Sequence, residues 1–378
     1  MQKFVKAFTL AALVLMGTGM AQDFVMGINF DAGGKFDRSF NEGTWRGMVR
    51  AIEELESSYD IELLEFEGTP DTSAQGLRNM AGEGSELIVA PGFAQADAIT
   101  SVSSEFSDTS FVIIDAVVDA PNVRSVVFKE HEGSYVVGYL AGTLSQTGVV
   151  GFVGGMDIPL IRKFNLGYEE GVMAACPDCT VISNYTGVTP AAWNDPARAK
   201  ELATLQHGQG ADIIYAAAGA SGNGVIDWAN ETMCYSADSM PDSVSMRMSP
   251  MGAIAADIAK SEAYATACDE GSQPVFFIGV DSNQNFLGDT DNDPSTLNHG
   301  LTSMLKRVDV ASSNAVNDVV NGEFEGGIAV LGLGEDGVGY ALDEFNEALV
   351  PEELQLELEL ITDAIISGET VVTDFTQQ

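Results

Sequence analysis

NFDAGGKFDRSFNEGTWRGMVRA, residues 29–51, joins a strand-like run to a helix-like one and gives the key to the whole chain. After Phe40, apolar side chains at Trp45, Met48, Val49, Ile52 and Leu55 return at helical spacing. A helix is therefore predicted to start between Ser39 and Glu42, capped by Ser39 or Asn41. Trp45 belongs to its core face. Upstream, FVMGINF (24–30) reads as a strand. Similar β-rich runs recur as ELIVAPGF (86–93), FVIIDAVV (111–118), VVGFVGG (149–155), ADIIYAAAG (211–219) and VFFIGVD (275–281), alternating with helical stretches. That alternation predicts parallel sheets, and 378 residues exceed one typical domain, so two α/β lobes are expected. In such sheets ligands sit at loops leaving the strand carboxyl ends, which makes residues 31–39 a candidate binding loop.

The chain start points to export. Lys3 and Lys6 precede an apolar run from Ala7 to Met16, and Gly19-Met20-Ala21 supplies small residues for cleavage, so residues 1–21 read as a signal peptide. No cysteine lies near that point to carry a lipid, and a Gram-negative periplasm is the expected destination. The formal charge of −39 makes nucleic acid a poor partner; the carboxylates are spread along the chain and read as a solvated surface. Cys176 and Cys179 form CPDC, while Cys234 and Cys268 bracket a polar, methionine-rich segment. In an oxidising compartment these four are candidates for disulfides rather than for a metal site. His131, His207 and His299 fall in no zinc pattern. In GDTDNDPSTLNHG, Pro294 and Gly300 stand where a calcium loop beginning at Asp289 needs glycine and glutamate. No metal and no cofactor is expected.

The candidate loop lacks a Walker lysine and a full G-x-G-x-x-G, and its carboxylates would repel a phosphate. Asp31, Asp115 and Asp281 each end a strand pattern. One such aspartate reads as a turn or cap, but three at sheet ends make a cleft. Ionised carboxylates accept hydrogen bonds from sugar hydroxyls or ring N–H donors; two of them could also serve as the acid and base of a glycosidase. Ser221 is followed by Asn223 where a nucleophile elbow needs glycine, which disfavours a serine hydrolase.

DAGGKFDRSFNEGTWRG (31–47), APGFAQADAI (90–99), FKEHEGSYVVGYLAG (128–142), IGVDSNQN (278–285), LTSMLKRVDVA (301–311) and LGLGEDGVGYAL (331–342) together resemble the basic membrane protein family of solute receptors, of the purine nucleoside receptor A type, from about Phe24 to Phe375. The resemblance implies a type I periplasmic binding fold: two doubly wound α/β lobes joined by a multi-strand hinge, feeding an ABC importer. The N-terminal lobe is expected over 22–127 plus about 305–325. The C-terminal lobe is expected over 128–304 plus about 326–378, with 229–271 as an insertion. By motif, Asp31 would anchor the ligand, Phe40 would stack on a purine face, and Asn41 would be its polar neighbour. Asp115, Asp281 and Lys306 would read the remaining polar edges. Tyr215 is the choice for a second aromatic face, with Trp193 as runner-up, and Gly219 lets backbone approach the ligand. The expected function is a monomeric, non-enzymatic receptor for a purine nucleoside that docks on permease subunits. The alternatives are another small solute or a nucleoside or glycoside hydrolase.

Overall fold

The computed structural model describes residues 22–236, 240, 241 and 244–378; the expected signal segment 1–21 lies outside the described residues. The chain begins with β1 (Gln22–Phe30), α1 (Phe40–Leu55), β2 (Tyr59–Glu67), α2 (Ser73–Gly82), β3 (Leu87–Pro91), α3 (Ala96–Glu105), β4 (Ser110–Ile114) and β5 (Val123–Phe128). It then crosses to α4 (Glu130–Leu144), β6 (Val149–Met156), α5 (Pro159–Ala175), β7 (Thr180–Gly187), α6 (Pro196–His207), β8 (Ile213–Ala217) and α7 (Asn223–Thr232). An excursion holds β9 (Cys234–Tyr235), α8 (Met251–Asp257), α9 (Glu262–Ala267) and β10 (Gln273–Pro274). The last elements are β11 (Phe276–Asp281), β12 (Gly300–Lys306), α10 (Val308–Asn321), β13 (Gly327–Leu331), β14 (Val338–Tyr340) and α11 (Glu352–Ile366).

Twelve of these strands form two six-stranded sheets, ordered β13-β5-β4-β3-β1-β2 and β14-β12-β11-β8-β6-β7, and β9 pairs with β10 in a separate antiparallel ladder. Every pairing in the first is parallel, and in the second only β12–β14 is antiparallel. Strands covered by helices on both faces carry apolar side chains at every position, and β3 and β8 are buried along their whole length. The architecture is the two-lobed type I periplasmic binding fold.

The chain passes between lobes at residue 129, at residue 307 and over 332–337. The sheets correct one boundary. Gly327–Leu331, expected in the C-terminal lobe, pairs with Arg124–Phe128 and completes the first sheet, so it belongs with the N-terminal lobe. The physical reason is an open β5 edge, whose unpaired N–H and C=O groups take up the returning strand. From β14 onward the chain lies with the second lobe, where Tyr139 on α4 donates to Glu357 on α11 at 2.6 Å.

The structure contains two disulfides, Cys176–Cys179 and Cys234–Cys268. The second closes the excursion, which packs on the second lobe: Arg247 donates from its backbone to Gln146 O at 2.7 Å and from its side chain to Gly142 O at 2.9 Å. Its described residues do not reach the cavity between the lobes.

Candidate functional site

The loop after β1 owes its shape to one carboxylate. Asp37, 1 % exposed, accepts from the backbone N–H groups of Ser39 (2.9 Å), Asn41 (2.8 Å) and Glu42 (3.1 Å), satisfying donors that the first turn of α1 leaves open. Ser39 takes the N-cap position that the spacing suggested, but neither its side chain nor that of Asn41 makes a capping hydrogen bond. Ser39 Oγ instead donates across the lobes to Asp281 Oδ2 at 2.6 Å. Asn41 holds the end of β1, accepting from Asp31 N at 3.0 Å and donating to Asp31 Oδ1 at 2.7 Å. The capping carboxylate is thus spent on structure, while α1 begins at Phe40 and turns that ring toward the cleft.

Asp115 and Asp281 follow the same logic from opposite lobes. Each ends its strand in the left-handed backbone region, with φ of 73° and 63°. That conformation is uncommon for a residue with a Cβ, and strain of this kind persists where surrounding structure over-determines it. Here it turns both carboxylates into the space between the sheets. The lobes are closed on each other: Ser282 Oγ donates to Ser39 O at 2.9 Å and Gln284 Nε2 to Arg38 O at 2.9 Å.

Between them lies a cavity lined from both lobes. Asp31, Phe40, Asn41, Asp115, Gly219, Asp281 and Lys306 all line it, brought together from five separate stretches of chain. Phe93, Leu160, Phe164 and Trp193 supply further apolar wall.

Residues 24–370 match the family described as Bmp, ABC transporter substrate-binding protein PnrA-like. The CD4+ T-cell-stimulating antigen of Listeria monocytogenes is 30 % identical over 363 residues, covering 94 % of this chain and 89 % of that protein. The ABC transporter nucleoside-binding protein BmpA of Lactococcus lactis is 28 % identical, covering 93 % and 88 %. An ABC transporter solute-binding protein from Aeropyrum pernix superposes with a TM-score of 0.71 at 26 % identity, covering 93 % and 94 %. The chain belongs to the Bmp family. It is a substrate-binding protein of an ABC transporter, a class that takes a small molecule to permease partners on the outer side of the membrane. Among the described residues no helix is long and apolar enough to cross a membrane.

In this Bmp-family chain Trp193 lines the cavity along with Phe93 and Phe164, and Tyr215 must be corrected. Tyr215 is 0 % exposed inside β8, with its ring 5.5 Å from Phe152 and 5.2 Å from Tyr168. Position along the strand decides this: Tyr215 packs two residues short of the end of β8, against Tyr168 of α5 and Ser134 of α4, and the cavity is lined from Ala217 onward. Trp193 lies on the loop before α6, with its ring against Gly155, where any Cβ would run into it. Ser221 pins that loop, donating to Ala192 O at 2.8 Å and accepting from Asp195 N at 2.7 Å, which is the work this buried serine does.

Electrostatically the Bmp-family cavity is acidic but compensated. Burial pushes Asp281 up to about 7, against the pull of the Lys306 ammonium and the Ser39 hydrogen bond. Burial likewise lifts Asp31 to about 6, opposed by hydrogen bonds from Asn41 and Gly33. Asp115 is raised by burial despite Lys306, whose Nζ lies 2.6 and 2.7 Å from its two oxygens. For Lys306, burial disfavours the charge, but Asp115, Glu130 and Asp281 outweigh it and hold the ammonium protonated. Its Nζ also sits 5.1 Å from the Phe40 ring centre, an attraction between cation and ring face. Among the described residues no cluster of His, Cys, Asp and Glu could hold a metal.

Sequence reasoning passed over Phe93, Leu160, Phe164, Glu130 and Lys163. Phe93 follows the end of β3, and Leu160 and Phe164 open the helix after β6. The rule that singled out Asp31 would have found those three. Glu130 and Lys163 gave no such signal, because their partners are distant in sequence.

Proposed function

We propose that this protein binds a purine nucleoside between its lobes and releases it unchanged to permease subunits. The observation that carries the reading is an interlobe cavity whose walls hold Phe40 and Trp193, from opposite lobes, beside the carboxylates of Asp31, Asp115 and Asp281. Aromatic faces suit a flat base, at roughly 1–3 kcal/mol for each stacked base. Carboxylates suit the hydroxyl and N–H donors of a nucleoside. The one cavity lysine is already held by Asp115, so a phosphate would meet unbalanced negative charge. The Lactococcus lactis relative, named as nucleoside-binding, supports the same ligand class.

The carboxylates are engaged rather than poised for hydrolysis: Asp31 by Gly33 N and Asn41, Asp115 by Lys306, Asp281 by Ser39. We take the protein to be a monomeric periplasmic receptor, exported by its N-terminal segment. Isothermal calorimetry with adenosine, inosine, guanosine and AMP, followed by chromatography of the recovered ligand, tests this. Tight binding of at least one nucleoside, weak binding of AMP and intact ligand are expected. No binding to any nucleoside removes the ligand assignment, and released base would establish a hydrolase.

A further inference from the structure

Lys306 is 2 % exposed and has three N–H donors. Two are engaged by the Asp115 oxygens, and the ammonium is also paired in charge with Glu130, whose Oε1 lies 3.1 Å away. Glu130 is 0 % exposed, at the first position of α4, and its Oε2 lies 2.8 Å from Lys163 Nζ. Lys163 is itself buried and donates to Phe128 O, the last residue of β5, at 2.6 Å. The row Asp115, Lys306, Glu130, Lys163 therefore alternates in sign. It spans the two hinge crossings, since Phe128 and Glu130 flank the first and Lys306 precedes the second.

Glu130 does not line this cavity, and the lining side chain it pairs with is Lys306. Asp281 also feels the Lys306 ammonium and competes for it. With the Glu130 charge absent, the ammonium loses one of the carboxylates that hold it and can turn from Asp115 toward Asp281. Burial of a carboxylate between two lysines keeps its charge in place: desolvation opposes ionisation, yet Lys306 and Lys163 hold Glu130 below the usual glutamate range.

We propose that Glu130 is a positioning residue of the ligand cavity: by its buried ion pair with Lys306 it keeps the ammonium on Asp115 and leaves Asp281 open to a donor from the ligand. This rests on the reading of the cavity as a nucleoside site. Glu130→Gln leaves Lys163 with Asp374, 3.9 Å away, as its remaining ionic partner, whereas Glu130→Gln with Lys163→Met removes one charge of each sign without restoring the contact to Lys306.

Calorimetry with adenosine on the wild type, Glu130→Gln/Lys163→Met, Lys306→Met and Glu130→Gln/Lys306→Met reads the effect. The first variant is expected to melt close to the wild type yet bind at least tenfold more weakly. On the Lys306→Met background, Glu130→Gln is expected to change affinity less than twofold. Wild-type affinity in Glu130→Gln/Lys163→Met, or an equal loss with and without Lys306, overturns the proposal. Side-chain ¹H–¹⁵N NMR of the ligand-free protein gives a second arm that needs no ligand. The Lys306 ammonium signal, sheltered from exchange in the wild type, is expected to broaden in Glu130→Gln/Lys163→Met; its persistence overturns the proposal. Failure of every nucleoside to bind the wild type counts against the ligand reading alone, and the NMR arm then decides the role of Glu130.

Discussion

Replacing Trp193 by alanine is the sharpest test of the site, because sequence spacing and tertiary structure favour different aromatics. Trp193 is half-buried on a loop fixed by Ser221 and Thr186, whose hydroxyls both donate to Ala192 O at 2.8 Å. The loop is thus held from its neighbours and should survive truncation of the ring. Loss of one stacking face is worth about 1–3 kcal/mol. At about 1.4 kcal/mol per tenfold, that corresponds to an affinity for adenosine roughly 5- to 150-fold weaker. Tyr215→Phe removes only a hydroxyl whose partner is Ser134 at 3.4 Å, so binding should be unchanged. Gly155→Ala adds a methyl outside the cavity that collides with the Trp193 ring, and it should weaken binding without touching the ligand. Calorimetry on the three variants, with thermal melts to confirm folding, checks the set. A folded Trp193→Ala protein within twofold of the wild type would refute the stacking argument.

Three further outcomes are expected. Asp281 at about 7 and Asp31 at about 6 keep protons in the folded state that the unfolded chain releases above about pH 4, so ligand-free stability should fall as pH rises from about 4 to 7. The whole-chain charge contributes in the same direction, so the diagnostic is that Asp281→Asn makes the slope of melting temperature against pH shallower; an unaltered slope rejects the assignment. Removing Cys234 and Cys268 opens a loop with a sequence separation of 34 and should cost about 2–4 kcal/mol in urea unfolding. Nucleoside affinity should stay within twofold, and a large affinity loss would place the excursion in the site. Asp37→Ala strips the cap from α1, with an expected loss of about 1–2 kcal/mol and weaker ligand binding because Phe40 opens that helix; an unchanged urea midpoint would count against the capping role.

Much of the site was legible because it obeys a local rule. Asp31, Asp115 and Asp281 all sit where a strand pattern gives way to a loop, and parallel α/β sheets gather such loops at one edge. The split into lobes followed from length and alternation. Tyr215 was misplaced because ADIIY does not show that the strand runs on to Ala217, two residues nearer the cavity. The strand Gly327–Leu331 was assigned to the wrong lobe because its pairing with β5 joins segments about 200 residues apart.

The sequence by itself determined what is carried by neighbours along the chain: the period of helices and strands, the aspartates at strand ends and the start of α1. Tertiary structure decided what depends on distant partners. Asp37 rather than Ser39 caps α1, because Asp281 from the other lobe captures the Ser39 hydroxyl. Lys306 is held by Asp115 and Glu130 from opposite sides of the hinge, and Trp193 rather than Tyr215 meets the cavity. Burial and charge pairing are set by the whole fold, and no local pattern encodes them.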